Sequence, residues 1–142
     1  MADNEITLIG CGKMGSAMLE GWLRDASLDA QFTIIEPDHT HLKWVVDEPS
    51  VSLYKDCAAA IANNASSSTL IVLAVKPQVM DGALTAIGQL NDGSSGYLSI
   101  AAGISTSWLK QRLGSDALVL RAMPNTPSAV GKGITALYAD AP

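Results

Sequence analysis

The sequence contains no apolar run approaching the roughly 20 residues that a transmembrane helix needs, and it has no run of basic residues. The net charge is −5, and the nine Lys and Arg residues are scattered along the chain. Nucleic-acid binding rests on neutralising phosphates with such residues, so it is not expected here. The acidic first residues carry no signal-peptide pattern. We therefore expect a soluble cytoplasmic protein that binds neither membrane nor nucleic acid.

Cysteine and histidine are scarce as well. Cys11, Cys57, His39 and His41 do not form a metal-ligand spacing, so no metal site is predicted. A structural disulfide is not expected in a cytoplasmic chain, which leaves each cysteine as a small buried hydrophobe or an exposed thiol. There is no G-x-S-x-G motif, no Ser/His/Asp constellation and no pair of carboxylates in a shaped context. The sequence therefore offers no catalytic residue that can be named from these patterns.

Apolar material, by contrast, is abundant: 48% of the 142 residues are hydrophobic and 16% are charged, which suits one ordered domain. Strand-like apolar runs occur at 6–10, 32–36, 69–75, 96–102 and 117–123, and a short one at 134–138. Several are apolar on successive residues, as in a parallel sheet covered on both faces. Helix-like stretches lie between them at 13–24, 55–64, 77–90 and 105–114. This alternation predicts an α/β fold, a Rossmann-like, doubly wound, mostly parallel sheet with helices on both faces.

Three glycines follow the first strand in the spacing G-x-G-x-x-G, at Gly10, Gly12 and Gly15. A strand before the motif and a helix after it are the context of a dinucleotide-binding turn. In that turn the first glycine allows a tight bend, the second lets a pyrophosphate approach the backbone, and the third lets the helix pack on the strand. Free N–H groups and the helix dipole then face the phosphates. We therefore interpret residues 1–142 as a single dinucleotide-binding domain.

Glu36 ends the second predicted strand, where a carboxylate can accept hydrogen bonds from both hydroxyls of the adenosine ribose and repel a 2′-phosphate. The alternative is a solvated residue that begins the turn EPDHTH. His39 and His41 in this turn could help a 2′-phosphate if protonated, although such residues are more often simply exposed. The choice between NAD and NADP therefore stays open, and Glu36 alone favours NAD.

Three further motifs occupy predicted strand ends or the loop after the last core strand. LAVKPQ (73–78) ends a strand with Lys76, which is either part of the nicotinamide rim or solvated. SIAAGIS (99–105) is small enough to allow close approach of a ligand. RAMPNTPSAVGKG (121–133) brackets Asn125 with two prolines, which hold the loop in one shape.

Taken in order, GCGKMG, LAVKPQ, SIAAGI and RAMPNTPSAVGKGITAL resemble the N-terminal half of pyrroline-5-carboxylate reductase, over nearly the whole chain. RAMPNTP is the most specific of these motifs and disfavours other reductases that share the glycine turn. The resemblance implies NADPH- or NADH-dependent reduction of 1-pyrroline-5-carboxylate to L-proline. It also implies cofactor-binding roles for four groups of residues: Cys11, Gly12, Lys13 and Met14 at the pyrophosphate; Glu36, Pro37 and Asp38 at the adenosine ribose; Ala74, Val75, Lys76 and Pro77 on the nicotinamide side; and Ala101, Ala102 and Asn125 between nicotinamide and substrate.

The sequence departs from that family in two ways. Members often carry a polar residue, commonly Asn, near the position of Cys57, so that cofactor contact is in doubt here. Members are also roughly twice this length, and their helical second half, which supplies the dimer interface and most of the substrate pocket, is absent from this sequence. We expect the reductase's cofactor-binding domain, inactive alone and homo-oligomeric at least with the missing half. The alternative is a stand-alone, non-catalytic dinucleotide-binding module.

Overall fold

The structure is a computed structural model, and it describes residues 4–63, 65, 67–90 and 93–140. Within these residues, seven strands form one sheet: β1 (Asn4–Ile9), β2 (Ala30–Ile35), β3 (Val51–Tyr54), β4 (Leu70–Leu73), β5 (Gly96–Ser99), β6 (Val119–Met123) and β7 (Ala136–Ala139). Their order is β3-β2-β1-β4-β5-β6-β7, parallel except for the antiparallel pairing of β7 with β6. This is a doubly wound order whose direction reverses between β1 and β4. The predicted Rossmann-like fold is confirmed.

In the described part of the chain, four α-helices pack against the sheet: α1 (Lys13–Arg24), α2 (Cys57–Ala62), α3 (Met80–Ile87) and α4 (Thr106–Leu113). Two of them, α2 and α4, begin at a side chain that caps the helix. The side chain of Asp56 accepts a hydrogen bond from the Ala59 N–H at 2.7 Å and caps α2. Ser105 caps α4 in the same way, through the Trp108 N–H at 3.1 Å. A 3₁₀ turn, Pro77–Val79, leads into α3, and proline suits such a first turn because its missing N–H would have no partner there.

Both faces of the central strands are buried, which explains the runs of successive apolar residues. Leu8 belongs to the buried cluster that includes Leu19 of α1, and the next residue, Ile9, belongs to a second cluster that includes residues of α2, α3 and α4. Leu8 and Leu19 are fully buried. Truncating such a leucine to alanine costs about 2–5 kcal/mol of unfolding free energy, so these residues fix the strand and helix ends that build the site.

The elements differ from their predicted bounds in informative ways. Strand β3 is not among the predicted runs, because it is only four residues long and lies at the sheet edge, where none of its residues is fully buried. The predicted strand 96–102 is shorter in the structure, since the chain turns after Ser99 and the Ala101 N–H donates to the Ser99 hydroxyl at 3.2 Å. The predicted helix 55–64 starts two residues later, and its last position lies outside the described residues.

Strand β7 is the last strand on its side of the sheet, and all four of its residues are exposed. Large apolar side chains cluster on and before it: Ile134 and Leu137 are each 76% exposed, and Tyr138 is 57% exposed. Asp140 ties the end of this strand to α4, because it accepts a hydrogen bond from the Tyr138 hydroxyl at 2.7 Å and pairs with Lys110 at 3.2 Å.

Candidate functional site

A cleft of about 610 Å³ lies at the carboxyl ends of β1, β2, β3 and β4, at the point where the strand order reverses. Ligands of doubly wound folds bind in this place. Of the residues predicted from the sequence, Gly10, Gly12, Glu36, Pro37, Ala74, Val75 and Lys76 line the cleft. Residues from the groups predicted for the pyrophosphate, the adenosine ribose and the nicotinamide side therefore lie around one cleft.

The three glycines of the turn have two different physical roles. Gly10 has φ of +85°, and a Cβ there would lie 2.8 Å from the Ala74 carbonyl oxygen. A Cβ on Gly15 would lie 2.7 Å from the Gly10 carbonyl oxygen. Both glycines are thus required by the packing of the protein on itself. A Cβ on Gly12, in contrast, would meet nothing within 4 Å, so this glycine leaves open space over the turn.

Gly12 is also the N-cap of α1, and no side chain caps that helix. The first N–H groups of a helix have no partner within the helix, and the helix dipole adds positive potential at this end. Lys13 is exposed there, Met14 is partly buried, and the Ser16 hydroxyl donates to the Cys11 carbonyl at 3.1 Å. An uncapped helix start beside open space can bind a phosphate group of a ligand.

Glu36 is held against the glycine turn. Its Oε2 accepts a hydrogen bond from the Cys11 N–H at 2.7 Å, and its Oε1 accepts one from the Asp38 N–H at 3.1 Å. The other side of Cys11 is held by His41, whose Nε2 lies 2.6 Å from the Cys11 carbonyl oxygen. Because a carbonyl only accepts, this nitrogen carries the proton. Glu36 and His41 therefore form hydrogen bonds with both the N–H and the carbonyl of Cys11.

Asp38 continues the same turn on the exposed side. Its Oδ1 accepts hydrogen bonds from the Thr40 hydroxyl at 2.6 Å and the Thr40 N–H at 2.9 Å. The hydrogen bond from the Thr40 side chain, followed by that from its backbone, lowers the pKa of Asp38. Asp38 is therefore ionised at neutral pH, next to Glu36.

The walls of the cleft include residues that were not predicted from the sequence. Lys55 and Asp56 follow β3, and Val79, Gly82, Ala83 and Ala86 come from the approach to α3 and from α3 itself. Cys57, the position at which the resemblance left a cofactor contact in doubt, also lines the cleft. Two signals could have revealed them. Recognising VSLY as a strand would have placed its following residues at the same sheet edge, and the spacing of the second group matches one face of a helix.

Both cysteines are buried and neither forms a disulfide. Cys57 lies in the cleft wall with 6% of its surface exposed. Burial raises the pKa of its thiol, and the charge of Asp56 raises it further. Burial likewise raises the pKa of Cys11, which is fully buried. Both side chains are therefore protonated thiols at neutral pH and are not activated as nucleophiles.

The fourth predicted group does not line this cleft. Ala101 is buried and its carbonyl accepts a hydrogen bond from Arg121 at 3.4 Å, while Ala102 is exposed. The side chain of Asn125 turns back along its own loop and accepts from the Ile134 N–H at 2.9 Å. Pro77 begins the 3₁₀ turn beyond Lys76. The roles assigned to these residues at the nicotinamide and the substrate stay predictions.

Two further observations concern membrane-spanning helices and metal sites. Over the residues that the structure describes, no helix is long and apolar enough to cross a membrane. In the same part of the chain, no three His, Cys, Asp or Glu side chains come together in a way that could hold a metal ion.

Comparison with known proteins agrees with this geometry. A family model described as "NADP oxidoreductase coenzyme F420-dependent" matches residues 5–103, which include the glycine turn and the whole cleft wall. The chain belongs to this family. Within it, the chain is 32% identical over 140 residues to the pyrroline-5-carboxylate reductase of Escherichia coli, a match that covers 98% of this chain and 51% of that protein. The resemblance to pyrroline-5-carboxylate reductases is thereby confirmed.

Solved structures give the same result. The pyrroline-5-carboxylate reductase of Coxiella burnetii is 27% identical, with a TM-score of 0.81 over 95% of this chain and 49% of that one. The NADP-bound pyrroline carboxylate reductase of Plasmodium falciparum shares the fold, with a TM-score of 0.74 at 23% identity over 99% of this chain and 49% of that one. The chain thus spans about half the length of the relatives that it matches.

Proposed function

We propose that this chain is the cofactor-binding part of an NAD(P)H-dependent reductase that converts 1-pyrroline-5-carboxylate to L-proline in the cytoplasm. The observation that carries the proposal is the open space at Gly12 beside the uncapped start of α1, in a cleft at the strand switch point. Similarity to pyrroline-5-carboxylate reductases over 98% of the chain supports the reaction class and the substrate.

In this proposal the residues of the cleft bind and orient the dinucleotide. The N–H groups at Gly12, Lys13 and Met14 bind the pyrophosphate, because they point from an uncapped helix start. The segment Glu36–Asp38 binds the adenosine ribose, and Ala74–Pro77 line the nicotinamide side. This division follows the order in which the segments line the sheet edge, from β2 across β1 to β4.

When bound, the cofactor supplies a hydride for the C=N carbon, and the protein supplies orientation and exclusion of water. Ala101 and Ala102 are small enough to let the reacting groups approach, and Asn125 lies on a loop that its own hydrogen bond to Ile134 holds in shape. We assign no acid or base in this chain to the reaction.

We further propose that binding of the substrate and assembly into a homo-oligomer involve the part of the relatives that this chain does not match. Lys76 lines the cleft, and the Arg121 guanidinium already donates to the Ala101 carbonyl, so neither is an evident clamp for the substrate carboxylate. Ile134, Leu137 and Tyr138 offer an exposed apolar surface that a further domain or a second copy would cover.

Calorimetric titration with NADH, NADPH, NAD⁺ and NADP⁺ tests the binding role, and we expect at least one of them to bind. The absence of both heat and thermal stabilisation with all four, at millimolar concentration, would contradict it.

The reaction is tested by following NADH and NADPH oxidation with 1-pyrroline-5-carboxylate, with the Escherichia coli relative as the reference. We expect no useful turnover by this chain alone, and turnover equal to the reference would refute the division of labour.

A chimera separates the reductase from a non-catalytic binding module. Residues 1–142 are joined to the part of the Escherichia coli relative that lies beyond the match. The reductase proposal predicts turnover by the chimera, since a competent cofactor domain then meets a competent substrate domain. Retained cofactor binding without turnover, in a chimera that folds, would favour the module.

A further inference from the structure

We propose that His41 is a positioning residue for cofactor binding, which orients the N–H group of Gly12 through a hydrogen bond to the Cys11 carbonyl. The inference rests on the proposed function, namely that the pyrophosphate of a nicotinamide dinucleotide lies over the glycine turn. What carries it is the contact between His41 Nε2 and the Cys11 carbonyl oxygen at 2.6 Å, which joins residues 30 positions apart.

The peptide group between Cys11 and Gly12 transmits this contact. It is trans, so its carbonyl and its N–H point in opposite directions. The carbonyl oxygen accepts from His41 Nε2 and, with its second lone pair, from the Ser16 hydroxyl at 3.1 Å. Because both donors hold the carbonyl, the plane of the peptide is fixed, and the Gly12 N–H is directed away from the side on which His41 lies.

The Gly12 N–H is free to bind a ligand. It finds no acceptor among residues 4–63, 65, 67–90 and 93–140. Gly12 itself lines the cleft, and a Cβ there would meet nothing within 4 Å. A donor that is unpartnered and already held in one direction binds an anion without the cost of ordering it first. The bond from His41 therefore prepares this N–H for the pyrophosphate.

The backbone beside His41 is anchored, although His41 itself is exposed. The next residue, Leu42, is fully buried in the core, and its N–H donates to the His39 carbonyl at 3.0 Å. The turn that carries the imidazole is thus fixed from below by a buried leucine. The imidazole can therefore hold the Cys11 carbonyl in one place.

The test is titration of NADH and NADPH into the wild type, His41→Ala, His41→Gln and His41→Asn, each first checked for a native melting transition. His41→Ala removes the donor, so it should weaken both cofactors about tenfold or more, the range of one charge-assisted hydrogen bond. His41→Gln places an amide N–H as many bonds from Cα as the histidine Nε2, and should bind both within about threefold of the wild type. His41→Asn is one bond too short, so it should bind as weakly as His41→Ala.

The amide proton of Gly12, followed by NMR during the same titrations, gives a readout that a purely structural role would not move. A charge-assisted hydrogen bond to a phosphate oxygen shifts such a resonance downfield. We expect this shift in the wild type and in His41→Gln at saturating cofactor. It should be smaller in His41→Ala and His41→Asn, because the N–H is then no longer held toward the ligand.

Three outcomes would overturn the inference alone. Binding by His41→Ala equal to that of the wild type would show that the contact does not matter. A loss confined to NADPH would mean that His41 acts on the 2′-phosphate, and equal losses in His41→Gln and His41→Ala would mean that the imidazole ring or its charge is the cause. Failure of the wild type to bind either cofactor would overturn the proposed function and this inference with it.

Discussion

Replacing Gly12 by valine should remove cofactor binding and leave the fold intact. A Cβ at Gly12 meets nothing within 4 Å, and φ there is −73°, so a side chain meets neither a neighbouring atom nor a left-handed backbone conformation. Valine is a poorer N-cap than glycine, which lowers the free energy of unfolding by about 0.5–1 kcal/mol. Valine also restricts the unfolded chain more than glycine does, which raises the free energy of unfolding by about the same amount. For a chain of this size 1 kcal/mol corresponds to about 2–4 °C, so the melting temperature should stay within about 4 °C of the wild type.

The binding loss is estimated from the contacts that the valine side chain would block. We expect the pyrophosphate to accept hydrogen bonds from at least two N–H groups at the start of α1, and each such charged bond is worth about 1.5–3 kcal/mol. Losing two weakens binding by at least about 100-fold. The measurement is a calorimetric titration with the preferred cofactor, next to a thermal melt of the same sample.

Two control variants make the result specific. Gly15→Ala places a Cβ 2.7 Å from the Gly10 carbonyl oxygen, so it should lower the stability by about 1–3 kcal/mol whether or not a ligand is bound. Gly21→Ala lies within α1 where a Cβ meets nothing within 4 Å, so it should raise the stability by about 0.5–1 kcal/mol and leave binding unchanged. If folded Gly12→Val binds the cofactor as the wild type does, the pyrophosphate does not lie over this turn and the reasoning fails.

Three further predictions concern other parts of the molecule. Cys57 is buried in the cleft wall with a raised pKa, so it should react with iodoacetamide about tenfold or more slowly than in the unfolded chain, as followed by mass spectrometry. Bound cofactor should slow the reaction further. Equal rates with and without cofactor would show that the ligand binds elsewhere. The hydrogen bond from Tyr138 lowers the pKa of Asp140, so the ionised carboxylate stabilises the fold above its unfolded-state pKa, and this effect is lost as the pH falls through its folded-state pKa. Asp140→Asn should therefore lower the melting temperature at pH 7. An equal loss at an acidity where Asp140 is protonated in both states would contradict this. Asn125→Ala should cost about 0.5–1.5 kcal/mol locally and speed amide exchange at Ile134, and unchanged exchange would show that the loop does not depend on this bond.

The sequence predicts the parts of this molecule that depend on local pattern. The bounds predicted for the first helix, 13–24, coincide with those of α1, because a glycine turn precedes it and an amphipathic stripe continues to its end. The parallel order of the sheet follows from runs such as 69–75, which are apolar on successive residues because both faces are covered. The positions of the three glycines also follow, since close packing requires Gly10 and Gly15 and Gly12 leaves the space over the turn open.

The remainder of the site depends on contacts between distant residues, and no local pattern contains it. Strand β3 is short and lies at the edge, so Lys55 and Asp56 on the third side of the cleft were not predicted, and Cys57 was considered only through the family resemblance. The sequence places Glu36 near a ribose, but that its carboxylate is held by the Cys11 N–H depends on how the turn closes. The contact of His41 with Cys11 likewise joins residues 30 positions apart, and only the folded turn brings them together.

The exposed edge at β7 also determines how the chain will behave in the laboratory. Its surface is apolar, so association through Leu137 and Tyr138 is entropy-driven near room temperature and weakens on cooling. The net charge of −5 keeps copies apart, and added salt screens that repulsion. Sulfate and phosphate would strengthen the apolar contact as well. Cold, dilute solutions of low ionic strength without these anions should therefore keep the chain dispersed, and warming or salting out should drive it to associate edge to edge.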